Sequence, residues 1–131
     1  MAVLNLQSAS GHWALTAELV RLLALPALAR VCEDAACDDA SAAAAVWAAL
    51  GHTEREVSAS APSVSGADLA QLLATLLALA WLGTRHTAAA EEWDLVAAKA
   101  RRWRARLFPA ASAAGAVAST LEAVVRARLV A

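Results

Sequence analysis

Apolar positions recur at helical spacing along most of this chain, and each run is framed by residues that start or stop a helix. Leu15, Leu19, Leu22 and Leu23 form the first stripe. Thr16 is placed to cap it, and Glu18 lies in its first turn, where a carboxylate meets the positive end of the helix dipole. Pro26 ends or bends this helix and can open the next piece, "PALARVCED". Asp38 and Asp39 precede "ASAAAAVWAAL", which Gly51 closes. From His52 to Ser65 the chain turns polar and Ser-rich around Pro62, and this stretch is read as a loop.

Ser65, with Asp68 three residues on, resembles a capping box opening a helix that runs to about Gly83. Thr87 is placed to cap "AAAEEWDLVAAKARRWRARLF". There Trp93, Val96, Ala97, Ala100, Trp103 and Leu107 share one face, with Glu92, Lys99, Arg102 and Arg106 on the other. Pro109 stops that helix, and a last one follows over about 114–130. The pattern predicts a single all-α domain over 1–131, a compact bundle of about five or six helices with short loops.

The run from Leu69 to Leu82 carries no charge and tests for a membrane span. It is 14 residues long and contains Gln71 and Thr75, whereas a bilayer needs about 20 residues. With Asp68 and Arg85 at its sides, it is read as a central helix buried on most sides, with no membrane partner.

Composition adds exclusions. Sixty per cent of the 131 residues are apolar, with 5 Gly and 3 Pro, so helix breakers are scarce and β-branched residues too few for a strand-rich domain. A net charge of −1 gives no reason to expect nucleic acid or an anionic membrane. The N-terminus lacks a basic segment followed by an apolar run, so no secretory signal is expected. Its Met begins either a gene product or an excised domain. Two cysteines, Cys32 and Cys37, are too few for a disulfide framework, and reduced thiols in a reducing compartment are expected.

Chemistry is hard to find. A structural zinc site needs four ligands; Cys32 and Cys37 form one C-x4-C pair, while His12, His52 and His86 are scattered, so no metal is expected. There is no G-x-S-x-G and no glycine-rich phosphate cradle. Ser8, Ser10 and Ser41 stand in turn or capping contexts, and His12 reads as a turn residue rather than a base. The acidic pairs Glu33–Asp34, Asp38–Asp39 and Glu91–Glu92 are adjacent in sequence, so each splits between helix faces instead of forming a dyad. Neither catalysis nor a cofactor is expected. The basic run Lys99, Arg101, Arg102, Arg104, Arg106, with Trp103 inside it, could touch phosphates. It stands at a helix C-terminus, where cations are favoured anyway, and an acidic protein partner suits it better.

Two blocks fit a known family. The first is "LNLQSASGHWALTAEL", with a Gly-x-Trp turn before Leu-Thr-x-Glu-Leu. The second is "LLATLLALAWL" followed by "EEWDLVAAKARRWRARL", with Trp-x-Leu-x-x-x-Lys-Ala-x-x-Trp. In this order and spacing they resemble the major vault protein interaction domain. That domain closes the vault poly(ADP-ribose) polymerase, and similar domains end proteins carrying VIT and von Willebrand A domains. The resemblance covers about 4–108 and leaves out the stretch from Cys32 to Ser65 and the helix after Pro109.

The resemblance implies a cytoplasmic, non-catalytic module that docks its protein onto the vault particle by binding major vault protein. It makes Gly11, Trp13, Leu15, Trp81, Trp93, Lys99 and Trp103 structural motif residues, with Trp13 lying flat over the bundle beside Trp81, Trp93 or Trp103. The candidate partner-binding residues are Trp47, Lys99, Arg102 and Arg106, since interface energy concentrates in Trp, Tyr and Arg. The competing reading of Trp47 is a core side chain, and of the arginines a solvated helix end. Two alternative functions remain: docking to a non-vault partner, or binding a small apolar ligand in a cavity lined by Leu72, Leu76 and Leu79.

Overall fold

The computed structural model describes residues 2–28, 37–52 and 54–129. They form seven α-helices: α1 (Ala2–Asn5), α2 (Ala17–Leu23), α3 (Asp39–Leu50), α4 (Glu54–Ser60), α5 (Gly66–Arg85), α6 (Ala90–Leu107) and α7 (Ala113–Arg128). Short 3-10 turns span Pro26–Leu28 and Thr87–Ala89. No strand occurs among the described residues. The architecture is an all-α bundle.

Four helices start on side-chain caps. The Thr16 hydroxyl accepts from the Leu19 N–H at 3.1 Å, the Asp38 carboxylate from Ser41 at 2.7 Å, Ser65 from Asp68 at 3.1 Å and Ser112 from Gly115 at 3.0 Å. Each gives an otherwise orphaned N–H of the first turn a partner. Gly51, at φ 77°, closes α3 in the left-handed region that glycine favours.

α5 is the axis of the bundle and packs against α2, α4, α6 and α7. Leu69, Leu72, Leu73, Leu77 and Leu82 are fully buried along it. By length and composition α5 could cross a membrane, but its apolar side chains are taken up by the other helices. That packing explains an uncharged run more simply than lipid does. α7 lies outside the family-like region, yet Val117, Ala118, Leu121 and Val125 are buried on it and it packs on α3, α4 and α5. It therefore completes the core.

The structure corrects two local expectations and adds a helix. Part of the expected loop from His52 to Ser65 is α4, which buries none of its residues and so lacks the apolar stripe that marks a helix in sequence. Thr87 does not cap α6: its hydroxyl donates back to the Gly83 carbonyl at 3.1 Å, and α6 begins at Ala90, with Ala89 at the N-cap position and no side-chain cap. The added helix is α1, Ala2–Asn5, whose Val3 is buried.

Candidate functional site

The two sequence blocks meet in one place. The turn from Ser8 to His12 is closed by the Ser8 N–H donating to the His12 carbonyl at 2.8 Å and the Gly11 N–H donating to the Ser8 carbonyl at 3.1 Å. It sits directly on α6. The Gln7 side-chain amide donates to the carbonyls of Gly11 at 2.8 Å and Val96 at 2.9 Å. The Lys99 ammonium reaches the Ser8 carbonyl at 3.5 Å. Gly11 has φ 108°, and a Cβ there would lie 2.6 Å from the Lys99 carbonyl oxygen. Both the backbone conformation and the space require glycine.

After this turn the chain dives into the core. Trp13 is fully buried. Its backbone N–H donates to the Thr75 hydroxyl at 3.1 Å, and its indole N–H donates to the Val3 carbonyl at 2.8 Å. Thr75, itself fully buried, donates to the Gln71 carbonyl at 2.7 Å. A threonine inside an apolar helix thus supplies the acceptor that lets an irregular segment enter the interior with its N–H paired.

The expected position of Trp13 is therefore corrected. It does not lie over the bundle beside another tryptophan; it threads between α1 and α5, because its two N–H groups find carbonyl and hydroxyl acceptors there. His12 takes the surface position instead, with its ring centroid 5.0 Å from that of Trp103. Trp103 is buried and also meets Phe108. Trp81 and Trp93 fix the α5–α6 corner. Trp81 packs on the His86 ring at 4.4 Å, and the Trp93 indole donates to the His86 carbonyl at 2.8 Å. Leu15 is buried in the core.

The candidate binding residues separate. Trp47 is 5% exposed and belongs to the core. The partner-binding reading of Trp47 is corrected accordingly: an Ala-rich helix leaves space that the indole fills from within. Lys99 is half-buried and engaged with the N-terminal turn. Arg102 and Arg106 are exposed beside Arg101. Arg104 turns away from them and pairs with Glu122 on α7 at 2.7 Å, and Glu122 also binds Arg126 at 3.2 Å. The basic run is thus split between a bridge to α7 and a free face.

Catalytic geometry is thin. The Ser8 hydroxyl lies 3.1 Å from His12 Nδ1. Partial burial pushes the His12 pKa below its ordinary value, and the Asp68 carboxylate opposes that shift. No hydrogen bond joins His12 to a carboxylate among the described residues, so the pair reads as a clasp across the turn. No group of three metal-ligating side chains gathers among the described residues. Cys37 is disulfide-bonded, against the expectation of two reduced thiols; Cys32 lies outside the described residues.

Leu72 and Leu76 are buried in the core, and Leu79 packs half-buried against it. A groove of about 400 Å³ lies elsewhere, between α4 and α7, with Val57, Val117, Leu121 and Val124 as its apolar lining and His52, Ser60 and Thr120 among its polar residues.

Sequence reasoning quoted Gln7 and Thr75 without assigning them a role. Their signal was present: an amide just ahead of a Gly-x-Trp turn, and a lone hydroxyl inside the uncharged run from Leu69 to Leu82, each able to pair a backbone group. No family model matches this chain, and no curated protein or solved structure matches it.

Proposed function

We propose that this chain is a non-catalytic helical docking domain that binds major vault protein and so carries its protein onto the vault particle. The observation that supports the reading is the convergence of both family-like blocks. Gln7, Gly11 and Trp13 of the first close on Thr75, Val96 and Lys99 of the second. On this reading the two blocks act as one packed unit that holds the N-terminal turn against α6.

The docking surface in this proposal is the free basic end of α6, at Arg102 and Arg106. These side chains are exposed, and an acidic face on the partner suits them. The same reading places the chain in the cytoplasm. The disulfide at Cys37 pulls the other way, and a free-thiol count on freshly isolated protein decides between them.

The test is capture of recombinant major vault protein by the immobilised chain at low and high salt. Stoichiometric capture that weakens with salt and with Arg102→Glu/Arg106→Glu supports the proposal. A folded bait that captures nothing removes the vault partner and leaves docking to another protein.

The groove between α4 and α7 favours a second reading, a site for a small apolar ligand, because its volume falls within the range of ligand pockets. Native mass spectrometry distinguishes it: a small molecule that travels with the purified chain supports this reading, and a bare chain mass removes it.

A further inference from the structure

The outer side of α6 carries a stripe that its packing in the bundle does not explain. Glu91, Leu95, Ala98, Arg102 and Ala105 recur at steps of four and three residues, so they line one side of the helix. The opposite side holds Ala97, Ala100 and Trp103, all buried. Leu95 is 83% exposed in the middle of the stripe.

The charges beside it are segregated. Glu91, Glu92 and Asp94 stand at one end; Arg101, Arg102 and Arg106 stand at the other. None of them makes an ion pair or a side-chain hydrogen bond among the described residues. The helix dipole accounts for the order of these charges. It does not account for a leucine left uncovered between them.

A face that is acidic at one end and basic at the other complements itself when turned end for end. We propose that a second copy of this chain packs on this face, α6 against α6 in antiparallel, about a two-fold axis beside Ala98. The small side chains of Ala98 and Ala105 allow close approach of the helices. Leu95 covers the aliphatic stem of Arg102 of the second copy. Glu91 and Asp94 meet Arg106 and Arg101 of the second copy, and each contact occurs twice.

One helix pair buries less than the roughly 800 Å² per partner of a standard interface, so the association is weak and salt-sensitive. The inference stands on α6 alone, independent of the vault reading. Because it uses Arg102 and Arg106, an acidic partner and the second copy compete for one surface, and docking then requires the pair to separate.

Sedimentation equilibrium of the whole chain, from low micromolar to near-millimolar concentration at low salt, tests it. A monomer–dimer equilibrium that weakens with salt is expected. Arg106→Glu weakens it about tenfold, because the reversed pair occurs twice. Adding Glu91→Arg to Arg106→Glu restores it, since the exchanged charges again face opposites. Leu95→Ala gives an independent loss, and circular dichroism shows that each variant remains helical. A monomer at every concentration overturns the inference. So does a dimer indifferent to Arg106→Glu, or a double exchange that stays as weak as the single reversal.

Discussion

The backbone N–H of Trp13 donates to the hydroxyl of Thr75 at 3.1 Å, joining the N-terminal turn to the central helix inside the core. Neither residue has solvent to fall back on, since both are fully buried. Thr75→Val keeps the shape and removes the acceptor, so a buried N–H loses its partner. A loss of about 1–3 kcal/mol is expected in urea unfolding. Trp13→Ala, which empties the site, is expected to cost about 3–5 kcal/mol. An unchanged midpoint for either variant contradicts this account of the turn.

Gly11 sets how closely that turn approaches α6. An alanine there must hold φ near 108° and place its Cβ 2.6 Å from the Lys99 carbonyl. Both penalties act together, and Gly11→Ala is expected to lose about 2 kcal/mol or more. Thermal unfolding measures it, and a neutral substitution shows that the turn can lift off α6 at little cost.

Much of the fold was legible because helices announce their ends locally. Thr16, Asp38, Ser65 and Gly51 act as caps where the sequence placed them, since a cap needs only its own first or last turn. Pro109 follows the end of α6 at Leu107 for the same local reason. α4 was missed because its stability comes from lying on α5 and α7, not from an apolar stripe of its own. Trp47 and Trp13 show the limit for sites. Their burial depends on what faces them across the bundle, and a single sequence does not display that. Arg104 is a similar case, being separated from its neighbours by Glu122, 18 residues further on.

A histidine in the turn makes stability depend on pH. Partial burial lowers the His12 pKa, so the folded chain prefers the neutral ring. Well above the ordinary value of 6.5 neither state is protonated and the contribution of His12 is whole. As pH falls through that value, the unfolded chain binds the proton first and stability drops. The loss levels off once pH passes below the folded pKa. Urea midpoints measured from about pH 8 to pH 5 are expected to fall, and His12→Asn is expected to flatten that slope. Asp38 acts in the acid range. Its lowered pKa reflects hydrogen bonding to Ser41, so its cap is present above 3.8 and is lost as pH falls through the folded value.

Ala24 offers a test in the stabilising direction. It ends α2 in the left-handed region, at φ 47°, as the one non-glycine residue with positive φ among those described. Its side chain is exposed, so little packing is at stake. Ala24→Gly relieves the clash of Cβ with the following carbonyl, and a gain of about 0.5–1 kcal/mol is expected. A lowered melting temperature contradicts that reading of the α2 end.

The most direct measurement of the central claim is co-sedimentation of the chain with assembled vault particles. Wild-type chain is expected to pellet with the particles to saturation, while Arg102→Glu/Arg106→Glu stays largely in the supernatant with its fold intact. Wild-type chain that remains wholly in the supernatant, folded and at concentrations well above those needed for capture, contradicts the claim that this domain docks on the vault.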